Sequence, residues 1–141
     1  MITITDYFMG RRETHGLACS PSIEREAART VDLVGKLLVQ AQTFGVTLER
    51  SPRTGTLVAS GWRPPEINCA TPGAAPNSKH MTGQALDVYD PDGDLDEWLI
   101  SGEGQAALQA LGLWMEHPSA TKGWAHLQTI PPRSGRRVFY P

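Results

Sequence analysis

Apolar residues recur at three- and four-residue steps through Ala27, Val31, Val34, Leu38 and Ala41, the period of a helix that buries a single stripe. Ser20-Pro21 provides its start: Ser can accept a hydrogen bond from the first free amides, and Pro at the first helical position loses no bond the helix would have made. Glu24 and Glu26 follow near the positive end of the helix dipole, and Gly45 ends the element. The stripe holds no ligand set, so this helix reads as scaffold. Thr56 to Ser60 reads as a short strand that delivers Gly61-Trp62-Arg63, after which Pro64-Pro65 forbids further ladder pairing. Cys69 to Lys79, with Pro72, Gly73, Pro76, Asn77 and Ser78, has the composition of a long irregular loop.

A second strand is predicted over Gln84 to Tyr89. Asp94-Leu95-Asp96-Glu97 has capping-box spacing and opens a helix to about Leu111, which Gly102 and Gly104 are placed to interrupt. Leu113 to Glu116 and Trp124 to Thr129 read as two more strands, joined by a loop with Pro118 and Gly123. The tail reads as an irregular extension whose Val138, Phe139 and Tyr140 pack back onto the domain. Helices and strands without strict alternation predict an α+β fold, a small antiparallel sheet flanked by helices, in one domain over residues 1–141.

Composition narrows the function classes. A chain of 141 residues can build its own core, and 40% hydrophobic with 20% charged residues at net charge −2 excludes a disordered or nucleic-acid-coating chain. Cys19 and Cys69 lie far apart without a Cys-x-x-Cys partner, which excludes a zinc ribbon or redox motif and leaves two reduced thiols. No stretch has the length of a membrane span or the build of a signal peptide, so the expectation is a monomer made in the cytoplasm, without membrane insertion.

Candidate chemistry gathers in three places. His80 and Asp87 stand seven apart, a spacing common by chance, but Asp87 lies inside the apolar run Ala85-Leu86-Asp87-Val88, where an unpaired carboxylate is costly to bury. A metal ion or a salt bridge, for instance to Arg63, would each resolve that cost. Gly83 lets the backbone turn sharply, so the His80 imidazole can fold back toward the strand. Downstream, alternation puts Trp124, His126 and Gln128 on one strand face and Ala125 and Leu127 on the other. A hydrolytic zinc site needs three such ligands and one open position. His15 has no partner at ligand spacing, and Asp90 to Asp96 lacks the Glu that closes a calcium loop, reading instead as a turn plus helix cap.

Ser78-x-His80-x-x-Gly83-x-Ala85-x-Asp87, followed by Trp124-x-His126 and preceded by Ser60-Gly61-Trp62-Arg63, resembles the signature of the zinc D-alanyl-D-alanine carboxypeptidase and L-alanyl-D-glutamate endopeptidase family. The resemblance covers roughly residues 57 to 129, and the run from Pro131 to Phe139 is similar to the phage and prophage branch. It implies a hedgehog-like fold and a Zn2+ held by His80, Asp87 and His126. Arg63 would polarise the scissile carbonyl, Ser78 would contact substrate, and Trp124 would wall the substrate cleft. The implied substrate is the peptidoglycan stem peptide, reached after phage-mediated release or from a virion. The chain departs from the family at Gly123, where many relatives carry a Glu three residues before the last His. Glu116, alternating with Trp114, can project toward the face of His126 and serve as general base, with His117 as its rival. Two other readings stay open: a non-catalytic, zinc-stapled module for phage structure or wall binding, and a metal-free domain in which His80 and Asp87 form a polar core pair.

Overall fold

The chain opens with two short helices, α1 (Ile4–Phe8) and α2 (Arg11–Thr14), in a computed structural model that describes all residues from Met1 to Pro141. Neither was expected, yet α1 has a full capping box: Thr3 Oγ1 accepts from the Asp6 amide at 3.1 Å, and Asp6 Oδ2 accepts from the Thr3 amide at 3.0 Å. A 3₁₀ turn, Gly16–Ala18, leads to α3 (Pro21–Thr43), whose Ser20 cap accepts from Ile23 N at 3.2 Å as predicted. Its buried face holds Ala27, Val34, Leu38 and Ala41, with Thr30 and Leu37 added, while Val31 is only half-buried at the margin.

The short strand β1 (Val58–Ser60) follows, and then α4 (Pro65–Ala70), with Pro65 in the first turn and its last two residues in the predicted loop. The irregular approach to His80 therefore begins only after Ala70. β2 (Ala85–Asp90) is followed by α5 (Asp94–Ile100) and α6 (Gly102–Leu111), the predicted helix interrupted next to Gly102. The break falls at Ser101, whose hydroxyl accepts from Gly104 N at 3.2 Å and caps α6. The predicted capping box at Asp94 is not what starts α5. Asp94 already lies inside the helix, and the Asp90 carboxylate at the end of β2 accepts from the amides of Leu95 at 3.1 Å and Asp96 at 2.9 Å.

β3 (Trp114–Glu116), a 3₁₀ turn (Pro118–Ala120), β4 (Gly123–Gln128) and β5 (Val138–Phe139) complete the chain. The five strands form one sheet in the order β1-β2-β4-β3-β5. The expectation of an antiparallel sheet holds for all neighbours but one, because β5 runs parallel to β3. The tail is irregular up to Arg137, as predicted, and its Val138 and Phe139 pack back onto the domain as a two-residue edge strand. Met115 N donates to Arg137 O at 2.9 Å and His117 N to Phe139 O at 2.8 Å, which pairs backbone groups that β3 would otherwise leave open. Two residues are too few to show a strand period in sequence.

One face of the sheet carries Leu86, Val88, Met115, Ala125 and Leu127, all fully buried against Leu37, Leu38, Leu99 and Leu108 of the helices. Each large aliphatic side chain so buried stabilises the fold by roughly 1.5–3 kcal/mol. No helix is long and apolar enough to cross a membrane. The architecture is mixed α+β, and the other sheet face is where the candidate chemistry collects.

Candidate metal centre

Asp87 of β2 and His126 of β4 are cross-strand partners, so the same alternation that sends Leu86, Val88, Ala125 and Leu127 into the core sends these two side chains out of it. Tyr89 pairs with Trp124 and Ala85 with Gln128 on the same face. His80 reaches them from the preceding loop. Its carbonyl accepts from Arg63 N at 3.1 Å, and Gly83 then turns the chain with φ +79°. Gly83 is also needed for space, since a Cβ there would press within 2.8 Å of the Ile23 carbonyl on α3, while Thr30 donates to Gly83 O at 2.8 Å. The loop is thereby clamped on the helix, and the imidazole lies over β2.

His80 Nε2 is 3.3 Å and His126 Nδ1 2.8 Å from the same oxygen, Asp87 Oδ1. The side chains are 2%, 8% and 12% exposed for His80, His126 and Asp87. Their outer hydrogen bonds decide where the protons sit. His80 Nδ1 lies 2.8 Å from the Gly61 carbonyl, which can only accept, so this nitrogen carries the hydrogen and Nε2 keeps its lone pair. Gln128 Nε2 donates to Ile130 O at 2.8 Å, which turns its Oε1 toward His126 Nε2 at 2.9 Å and makes that nitrogen a donor too. His126 Nδ1 then faces Asp87 with a lone pair when the ring is neutral and with an N–H when it is protonated. Two imidazole nitrogens and a carboxylate oxygen converge in a nearly dry place.

Such an arrangement requires a cation among them, a proton or a metal ion. The three ligand atoms lie within 4.8 Å of one another, and ligands about 2.0–2.1 Å from a tetrahedral zinc sit about 3.3 Å apart. Hydrogen bonds from the far nitrogens to a carbonyl and an amide are the usual means of orienting metal-bound imidazoles. His80, Asp87 and His126 therefore form a group close enough to bind a metal ion, with a donor set suited to zinc. With protons alone, burial pushes the Asp87 carboxyl up, but the two imidazoles outweigh it and hold the group well below the usual carboxylate range. Burial pulls His126 down, yet Asp87 and Glu116 raise it to about 9.

The cleft over this group has a volume of about 610 Å³, and Arg63, Ser78, Glu116 and Trp124 all line it. Glu116 Oε1 is 3.8 Å from His126 Nε2, with the side chain 20% exposed. His117 points elsewhere: its Nδ1 is 2.9 Å from Ser119 Oγ, and its ring stacks on Tyr140 at 4.6 Å, facing a different pocket. Of the two rivals only Glu116 stands at the cluster. Arg63 does not form the salt bridge to Asp87 that was weighed as an alternative; its Nη2 donates to Ser78 Oγ at 3.1 Å. Ser78 Oγ also accepts from His80 N at 3.2 Å, leaving its hydroxyl hydrogen for a ligand. Trp114 is covered by the Arg137 guanidinium, 4.5 Å from its ring. His15 is paired with Glu66 at 3.2 Å.

Three contributors were not foreseen. The Gly61 carbonyl orients His80, Phe139 of β5 stands edge-on to His126 at 6.3 Å, and α1 braces the whole from below. Tyr7 donates to Ala85 O at 2.9 Å and its carbonyl accepts from Trp62 N at 3.2 Å, while Phe8 packs edge-on against Trp62. The Thr3-x-x-Asp6 spacing was the available signal for α1. For Phe139 there was none beyond its apolar character. Comparison of the chain with protein-family models, curated proteins and solved structures returns no match.

Proposed function

We propose that this chain is a zinc-dependent peptidase that hydrolyses an amide bond in the peptidoglycan stem peptide, of the D-Ala-D-Ala carboxypeptidase or L-Ala-D-Glu endopeptidase type. The observation that carries the reading is the convergence of His80 Nε2, His126 Nδ1 and Asp87 Oδ1 at the floor of an open cleft. The substrate class, the hedgehog-like fold and a phage or prophage origin rest on the resemblance of Ser78 to Asp87 and Trp124 to His126 to that family's signature. A bound zinc would supply Lewis acidity for water and for the scissile carbonyl.

The remaining steps belong to the chain. Glu116 stands beside the cluster at the cleft edge, placed to take a proton from the attacking water and return it to the leaving amine. Arg63, about half-buried and anchored by Ser78, opposes the negative charge that develops on the carbonyl oxygen in the transition state. Trp124 offers a flat wall for the peptide.

A second reading is a non-catalytic, zinc-stapled module. Gly123 favours it, since that position, at φ +103°, holds no side chain where many relatives of the resembling family carry a Glu. Zinc content and a muropeptide digest read by mass spectrometry, on wild type and Glu116→Ala, separate the two. Stoichiometric zinc with cleavage lost in Glu116→Ala supports the peptidase. Stoichiometric zinc with an inert wild type supports the module.

A further inference from the structure

Next to the metal centre the charge is lopsided. Arg53, Arg63, Lys79 and Arg133 line the cleft, against two acidic side chains, Asp87 and Glu116, both close to His126. None of the four cations has a carboxylate within 4.0 Å, although Arg12 and Lys36 elsewhere do. Arg11, outside the cleft lining, adds a fifth nearby: its Nη1 donates at 2.7 Å to the carbonyl of Trp62, the residue before Arg63. Arg53 Nη2 is held by Ala59 O at 2.7 Å on β1, and the buried Arg63 Nε has no partner at all. Burial first, then the nearby charges of Arg63 and Arg53, holds the Arg11 guanidinium below its ordinary value.

An unneutralised arginine cluster of this kind costs folding energy, and it matches what recognition of an anionic peptide requires. Guanidinium forks pair best with planar oxyanions. Resting on the peptidase reading, we infer that the β1 side of the cleft is a carboxylate subsite, in which Arg53 is a specificity-determining residue that holds a free carboxylate of the peptide beside the scissile bond. The peptide's anion is either its C-terminal carboxylate or an internal one, as on D-Glu. Arg53 is exposed and outside the metal cluster, and its side-chain bond is to Ala59 O, so the zinc content and thermal melt of the variant check that the fold and the metal site are kept.

The test uses a synthetic stem pentapeptide, L-Ala-D-Glu-L-Lys-D-Ala-D-Ala, as free acid, as C-terminal amide and with every carboxyl amidated. Binding is measured by titration calorimetry on zinc-loaded Glu116→Gln and on Glu116→Gln/Arg53→Gln, and cleavage on the wild type. The free acid should bind about tenfold or more tightly than the full amide, a difference that disappears in Arg53→Gln and partly returns in Arg53→Lys. The C-terminal amide then shows which carboxylate is held. Equal affinity for acid and full amide, or a preference that survives Arg53→Gln, overturns the subsite. The two readings fail separately: cleavage without acid preference leaves the peptidase and removes the subsite, whereas acid preference without cleavage does the reverse.

Discussion

Asp87 and Asp96 are both buried carboxyls at the ends of the same piece of structure, β2 and the helix after it, yet they are driven in opposite directions. Asp87 faces two imidazole nitrogens across the cleft and is held ionised. Asp96, 4% exposed at the start of α5, has one hydroxyl partner, Thr121 at 3.0 Å, and a buried Oδ1 without any. Burial, then the neighbouring Asp90 carboxylate, outweighs the Thr121 bond and pushes it up to about 7. A buried carboxyl thus becomes a cation site only where groups able to share a cation converge on it; beside another carboxylate it simply keeps its proton.

Removing a converging group should have the largest effect. His80→Ala and His126→Ala should each lose zinc binding, and with it the stabilisation that zinc gives the wild type, about 2.7 kcal/mol at a hundredfold excess over Kd. Thermal melts with and without zinc check this, and zinc content unchanged in both variants rules out the ligand assignment. Glu116→Gln sharpens the picture by separating holding the metal from using it. Zinc content should persist while stem-peptide cleavage falls about 10²–10⁴-fold. Full activity in that variant returns the general base to an unassigned group.

Gly61→Ala attacks the support of Asp87's partner instead. A Cβ at Gly61 collides with the Tyr7 carbonyl, so the segment whose oxygen orients His80 must move, at about 2.5 kcal/mol of stability and with weaker zinc binding. Denaturant unfolding measures the first and zinc competition the second.

The smallest effect belongs to Asp96. Because its pKa in the fold is raised from 3.8 to about 7, its contribution to stability is complete below 3.8 and lost as pH rises through about 7. Asp96→Asn should therefore unfold with less loss of stability between pH 5 and pH 8 than the wild type, by about 2 kcal/mol. Parallel pH profiles for the two proteins would remove the asymmetry drawn between these aspartates.

Much of this was legible along the chain. The period of Ala27, Val34, Leu38 and Ala41, the Ser20-Pro21 start and the alternation of Trp124, His126 and Gln128 are local signals, since helix and strand geometry alone decide which side chains share a face. That Asp87 needs a partner followed from the same logic, because an Asp between Leu86 and Val88 has to find one wherever the strand is buried, while the full ligand set came from the resemblance. What the chain could not show was set by contacts between distant segments. Register across β2 and β4 places His126 opposite Asp87, the Gly61 carbonyl chooses the His80 tautomer, and β5 joins β3 in parallel because an open edge was available to it. Glu116 stands at the cluster and His117 does not for the same reason: β3 ends between them, and a strand's end is fixed by its neighbours in the sheet rather than by its own residues.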